Sequence, residues 1–417
     1  MLKVLKFGGS SMADAQQLSK VRSIVESDPS RRVVVVSAAG KRFKNDHKIT
    51  DLLYLCHAHL QYGVSCDAVF DMVRSRYLEI RDELGLSTPL EQEFDALRQK
   101  MDKGISADEL VSRGEYFAAR LMADYLGFDF LDSTMWLHFR MDGTVDQEVS
   151  YQALQRAASG RRVVIPGFYG VLPDGSIHTF SRGGSDITGS IVARAVQADL
   201  YENWTDVSGF LVADPRIVEN PAPIETITYT ELRELSYMGA SVLHEDAIFP
   251  VRKAGIPINI RNTNRPEDPG IMIVENTSKR PHYTITGVAG KKGFCAMNIA
   301  KAMMNSEVGF GRKVLEVFEK NGISFEHMPS GIDTMSVLVH QDEFQEKEQS
   351  VLSGIQRSVH PDVVTLESDL AVIAVVGRGM KAMRGTAARI FAALAHAKIN
   401  VKMIDQGSSE LNIIIGV

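Results

Sequence analysis

The first forty residues constrain the fold more than any other stretch. Residues 3–7 (KVLKF) alternate as a strand does, and Gly8-Gly9-Ser10-Ser11 breaks that pattern. From Met12 to about Glu26 the apolar residues Leu18, Val21, Ile24 and Val25 fall at helical spacing. RRVVVVSAAG then forms a continuous apolar run ending in small residues, the signature of a strand buried on both faces of a parallel sheet. Strand, helix and buried strand in this order open an α/β fold. At 417 residues the chain is too long for one ordinary core and is expected to hold two or three domains. A net charge of −6 argues against nucleic acid or an anionic membrane as the main partner, while leaving room for a local positive pocket. The three cysteines, Cys56, Cys66 and Cys295, match no zinc spacing and are odd in number for a disulfide framework, so a reducing, cytoplasmic setting is expected. The N-terminus lacks the apolar core of a signal peptide, and no run of about 18 apolar residues exists for a transmembrane helix.

Further along, the stretch from Thr50 to about Gly127 is helical in pattern, and RRVVIPGFYG (161–170) reads as another buried strand. LPDGSIHTF carries a Pro-Asp-Gly turn and predicts a hairpin. SRGGSDITGSIVARAVQA is a glycine loop entering a helix, with Ser185 or Asp186 as N-cap. ADLYENWTDVSGFLVADPR predicts strand, polar turn and strand, and GIPINIRNT (255–263) a late strand. Prolines and charges over 264–284 suggest a linker. Beyond it the chain reads as two copies of one small unit, from about Gly287 and from about Leu370. Each copy runs strand, small-residue turn, amphipathic helix, strand, turn and strand, the opening of a ferredoxin-like fold.

Several groups suit phosphoryl transfer, which needs positioning and positive charge more than covalent chemistry. Lys6 ends a strand beside Gly8 and Gly9. There, backbone N–H groups, a helix N-terminus and an ammonium would cradle a phosphate. A surface lysine before an ordinary βα turn is the alternative, and the order of a Walker A loop is absent. In Arg182-Gly183-Gly184-Ser185-Asp186 the guanidinium can clamp a carboxylate and the aspartate can hold magnesium or orient the lysine. The same residues also fit a tight turn. Thr205-Asp206 and Asp214-Pro215-Arg216 suit a nucleotide or plain turn chemistry. Glu115, read as lying near the start of its helix, can meet a substrate ammonium or simply face solvent. No H-E-x-x-H, nucleophile-elbow or paired CxxC motif occurs.

Six segments in order, KFGGSS (6–11), SRGE (112–115), FSRGGSDITGS (180–190), NWTDVSG (203–209), ADPR (213–216) and ELSYMGASVLH (234–244), resemble the aspartate kinase family over nearly the whole chain. The resemblance implies an amino-acid-kinase fold, a three-layer arrangement with a mainly parallel central sheet, followed by two ferredoxin-like ACT domains. It implies a catalytic domain over 1–275, a first ACT domain over 286–365 and a second over 366–417. The chain ends at Val417, short of the last helix and strand expected of that pair. The implied reaction is phosphorylation of the side-chain carboxylate of L-aspartate by MgATP, giving 4-phospho-L-aspartate. The substrate carboxylate is then the nucleophile, and no general base is required.

By motif, Lys6 would contact the transferred phosphoryl group within a loop lined by Gly8, Gly9 and Ser10, and Asp186 would support the lysine or the metal. Thr50, Glu115, Arg182, Gly183 and Gly184 would surround the aspartate, and Thr205, Asp206 and Arg216 would face ATP. Two departures mark a subgroup of monofunctional enzymes typically inhibited by lysine: Ser241 stands where many relatives carry lysine, and Leu211 where an aromatic residue often flanks adenine. Ser306, Gly309, Ser324, Glu326 and Asp333 are the expected effector residues, with lysine as first ligand and threonine as second. The ACT pair implies a homodimer or larger assembly. Other kinases of this fold, or a catalytically dead sensor, are the rival classes. The presence of Lys6, Arg182 and Asp186 argues against the sensor.

Overall fold

A computed structural model describes residues 1–181, 183–238, 245–277 and 283–417. The chain forms two compact units. The first comprises Met1–Phe210, Pro223–Tyr229 and Val242–Thr277, and the second Leu211–Ala222, Thr230–Ser241 and Ser278–Val417.

The first unit is built on strands β1 (Lys3–Phe7), β2 (Arg31–Val36), β3 (Asp129–Phe130), β4 (Val163–Pro166), β5 (Tyr169–Val171), β6 (Ile177–Thr179), β7 (Leu200–Thr205), β8 (Thr226–Thr228), β9 (Ile258–Asn262) and β10 (Ile271–Val274). Eight of them form one sheet in the order β3-β4-β2-β1-β7-β9-β10-β8, and β5 and β6 form the expected hairpin. Every neighbouring pair in the large sheet is parallel except β9 with β10. Val33 to Val36 of β2 are all 0–2% exposed, so both faces of the sheet are covered, and the run is apolar without alternation for that reason.

The helix after β1 spans Ala15–Glu26, capped by Asp14, whose carboxylate accepts the Gln17 N–H, and it buries Leu18, Val21, Ile24 and Val25. Four helices fill residues 49–126. They pack through Phe70, Tyr77, Phe94 and Phe117, with the Phe94 and Phe117 rings stacked at 4.1 Å. The last of them, Ala107–Leu126, is capped by Ser106 and closed by Gly127 at φ 64°.

Two expectations change. The stretch 209–216 forms no second strand. The Asp214 carboxylate accepts the Arg216 N–H at 2.8 Å and the guanidinium closes the same turn. The supposed linker at 264–284 contains β10, because Ile271 and Ile273 are fully buried while Pro266 and Pro269 serve only the turn before it.

The second unit carries β11 (Gly287–Ala300), β12 (Thr334–His340), β13 (Val363–Val376), β14 (Met403–Asp405) and β15 (Asn412–Gly416), in the order β12-β11-β13-β15-β14 with every neighbour antiparallel. Two strands of 14 residues serve both copies of the repeated unit. Ala296–Ala300 pairs with Val363–Glu367 in the first copy, and Gly287–Lys292 pairs with Ala371–Val376 in the second. The helices Phe310–Lys320 and Glu348–Val359 cover the first copy, and Thr386–His396 belongs to the second.

Candidate active site

Lys6 is an interior lysine. It lies on β1, is 6% exposed, and its Nζ sits 2.6 Å from Asp186 Oδ1. Asp186 also accepts a hydrogen bond from Asn203 Nδ2 at 2.9 Å. The parallel register sets Asn203 beside Lys6. Asp186 occupies the first turn of the helix Gly184–Ala195, where the helix dipole favours a carboxylate. Two sheet positions and one helix terminus thus fix a cation at a strand end.

The glycines beside it are set by close backbone approach. A Cβ on Gly40 would lie 2.6 Å from the Gly9 carbonyl carbon, and the Gly40 N–H donates to the Gly9 oxygen at 2.8 Å. Ser10 follows in the short 3-10 turn Gly9–Met12. The Gly40 loop is itself anchored. Arg76 Nη1 donates to the Gly40 oxygen at 3.1 Å while Nη2 holds both oxygens of Asp46 at 2.9 and 2.8 Å. Arg42 adds a further bond to Asp46, and these guanidiniums and the Arg42 backbone N–H hold its carboxyl well below the usual range despite burial. Thr50 lies in the first turn of the helix Ile49–Gln61, whose Ile49 N–H donates to the Ala39 oxygen at 3.1 Å. Neither Gly40 nor the Arg76–Asp46 pair was read from the sequence, because the partners are 30 or more residues apart and only an isolated carboxylate in a lysine-rich loop signals them.

Glu115 is buried, 5% exposed, and lies in the middle of its helix rather than near its start. Gly114 lets the helix press on the Ala38 loop, since a Cβ there would meet Ala38 Cβ at 2.8 Å. Glu115 accepts the Ala38 N–H, but its Oε2 has no partner. Burial pushes its pKa up to about 8, with Lys6 and Arg113 only partly opposing. The folded value exceeds the ordinary 4.5, so the stability tied to this proton is complete below pH 4.5 and is lost as pH rises to about 8. Glu115→Gln removes that dependence. Thermal melts should show the variant more stable than the unaltered chain near pH 8, with the two converging near pH 4.5. Coincident melting temperatures at the alkaline end would contradict the buried acid.

The second glycine loop rests on a strained residue. Phe168 adopts φ 79°, rare for an aromatic side chain, and is held there by its N–H to Thr188 Oγ1 and by its carbonyl, which accepts the Phe180 N–H, each at 3.0 Å. A Cβ on Gly184 would meet the Phe168 ring at 2.5 Å, and Gly183 takes φ 58°. Arg182 and Ser241 lie outside the described residues. Thr205 ends β7, with its hydroxyl bonded to Asp206 at 3.2 Å. Arg216 belongs to the other unit and pairs with Asp214. The structure therefore brings Lys6, Gly8, Gly9 and Asp186 together, with Glu115 and Thr50 joined to them through the 38–40 loop. Among the described residues no helix is long and apolar enough to cross a membrane.

In the second unit, Ser306 and Gly309 lie in the segment between β11 and the helix Phe310–Lys320, and Asp333, just before β12, is bonded to the start of that segment. The Asp333 carboxylate accepts the Met303 N–H at 2.9 Å, and Gly309, at φ 81°, opens the helix Phe310–Lys320. Glu326 lies elsewhere, its N–H donating to the Leu338 oxygen. At about 3.3 Å per residue that position is roughly 17 Å along β12 from Asp333. Glu326 pairs with His340 Nε2 at 3.3 Å and accepts the Tyr237 hydroxyl. Ser324 is exposed two residues before it.

Residues 1–262 match the amino acid kinase family, and residues 373–417 match an ACT domain. Aspartokinase 3 of Bacillus subtilis is 41% identical over all of this chain and 95% of its own length. The chain belongs to the aspartokinases. As a member it is an enzyme, a phosphotransferase with a carboxyl group as acceptor, and its fold is the amino-acid-kinase fold followed by ACT structure. The aspartate kinase of Clostridium acetobutylicum superposes with a TM-score of 0.90 at 48% identity, covering all of this chain and 96% of its own. Escherichia coli aspartokinase III, solved with aspartate and ADP, superposes at 0.73 over all of this chain and 96% of that one. Its 24% identity limits that likeness to the fold. The same enzyme has also been solved with lysine and aspartate, described as its T-state.

Proposed function

We propose that the chain transfers the terminal phosphoryl group of MgATP to the side-chain carboxylate of L-aspartate, the first step of lysine, threonine and methionine biosynthesis. The observation that carries this reading is two buried groups joined through the 38–40 loop. Lys6 supplies a fixed positive charge, and Glu115 offers an unpartnered carboxylate oxygen. A phosphoryl group in transfer needs the first. An α-ammonium needs the second, and on meeting one Glu115 would give up its proton.

Arg182 would take the α-carboxylate, with Thr50, Gly183 and Gly184 around the substrate. Gly8, Gly9, Ser10, Thr205, Asp206 and Arg216 would face the nucleotide. Magnesium takes one or two carboxylates and completes its shell from phosphates and water. Asp186, alone beside Lys6 with no cluster of three ligating side chains among the described residues, suits an ion that arrives with ATP and neutralises its phosphates. The catalytic part is assigned to 1–275 and the two ACT parts to 286–365 and 366–417. The protein acts in the cytoplasm as a homodimer or larger assembly, with lysine, or else threonine, as feedback inhibitor at Ser306, Gly309, Ser324, Glu326 and Asp333.

A substrate panel tests this. Purified protein with MgATP should release ADP with aspartate and not with glutamate or acetylglutamate, and lysine should lower that rate. Turnover of glutamate without aspartate would end the substrate assignment. Unchanged rate and melting temperature with lysine would end the regulatory one.

A further inference from the structure

We propose that Asp108 is a positioning residue for the substrate end of this site, acting as a clamp that fixes the second glycine loop. This inference rests on the aspartate reading above. Asp108 is the second residue of the helix Ala107–Leu126, where an acidic side chain ordinarily caps or offsets the helix dipole. The capping position is already filled, because Ser106 Oγ accepts the Glu109 N–H at 3.1 Å. Both Asp108 oxygens turn outward to the hairpin instead. Oδ1 accepts the Thr179 hydroxyl at 2.9 Å, and Oδ2 accepts the Thr179 N–H at 3.1 Å and lies 3.0 Å from His178 Nδ1. Three bonds from one carboxylate to two adjacent residues fix the end of β6 in place.

Thr179 is followed by Phe180, whose N–H ties it to the strained Phe168, and a Cβ on Gly184 would meet both Phe180 and Phe168 at 3.0 Å or less. Ser181 thus follows a clamped strand, and Gly183 and Gly184 open a packed helix start. Glu115 lies seven residues beyond Asp108 on the same helix, two turns on and on the same face. One rigid helix therefore carries both the buried carboxyl offered to the ammonium and the clamp that sets the loop offered to the carboxylates. Asp108 and Glu115 are set apart by seven residues of helix, about 10 Å of rise.

The test uses the full chain with Asp108→Ala, Asp108→Asn and Thr179→Val. A shift of about 1 Å in a positioning element is enough for a hundredfold loss, so Asp108→Ala should raise KM for aspartate by about tenfold or more while KM for ATP stays within about twofold. Asp108→Asn and Thr179→Val, which keep part of the bonding, should give smaller shifts of the same kind. Equal rises in both KM values, or a lowered melting temperature with both KM values unchanged, would overturn the proposal. Hydrogen exchange gives a reading that does not depend on the substrate. Amides of Phe180–Asp186 should exchange faster in Asp108→Ala while those of the helix core do not. No change there overturns the clamp even if aspartate proves to be the wrong substrate, and a change there supports it in that case too.

Discussion

Lys6→Ala should abolish aspartate-dependent ADP release, lowering kcat by about a thousandfold, the upper end of what removal of one preorganised charge costs. The lysine is poised before any ligand arrives. It is buried, paired at 2.6 Å with Asp186, and flanked by Gly8, where a Cβ would stand 3.6 Å from Nζ. Such a group acts mainly on the charge that develops during transfer, so the loss should fall on kcat and leave KM for aspartate close to its original value. Lys6→Arg should not restore activity, because a planar guanidinium needs more room than the enclosed ammonium. The variant should still fold, since Asp186 keeps Asn203 Nδ2 and the helix N-terminus as partners. Steady-state kinetics with a melting curve on the same sample check both halves. Retention of more than about a tenth of kcat would remove Lys6 from the transition state.

Arg76→Leu should lower stability by about 3–5 kcal/mol, the usual cost of breaking a buried ion pair from one side. Arg76 and Asp46 each have side chains 5% exposed and meet through two bonds, and the same guanidinium satisfies the Gly40 oxygen. Removing it leaves Asp46 with Arg42 alone and Gly40 with an unpaired buried carbonyl. The double variant Arg76→Leu with Asp46→Leu should recover part of the loss, because the stranded charge is gone as well. Denaturant titration at fixed pH measures this. A single variant within about 1 kcal/mol of the unaltered chain would show that the pair contributes little. The 38–40 loop lies between Gly9 and Glu115, so the same variant should also lose activity beyond its loss of stability.

What the sequence disclosed follows from the range of the interactions involved. The β1 strand, the helix after it, the apolar β2 and the hairpin are local patterns, and each formed where periodicity and turn residues placed it. Both glycine loops, at residues 8–9 and 183–184, are legible in the sequence, whereas Gly40, which Gly9 approaches closely, is not. Glu115 was legible as a motif residue but not as a buried acid, since its burial comes from the 38–40 loop rather than from its own helix. Asp46 carried only the signal of a lone carboxylate among lysines, and Asp108 carried none. Each is an acidic residue in a polar stretch, and its partner is 30 or about 70 residues away. The second strand expected near residue 213 failed for the opposite reason. A local Asp–Arg turn outcompeted a pairing that the sheet does not supply.

The division of the chain into its two units has a consequence for inheritance. A sensing module attached by one linker can be lost, gained or exchanged by a single recombination event. Here, among the described residues, the chain passes between the units at 210/211, 222/223 and 229/230, and both units take up further segments beyond. Leu232 and Leu235, buried to 1% and 2% exposure, belong to the C-terminal unit yet precede β9 and β10 of the catalytic sheet. Leu235 is the side chain that a Cβ on Gly287 would strike at 2.8 Å, at the very start of β11. No single cut yields either unit whole. A truncation anywhere between residues 211 and 277 therefore removes residues from both units.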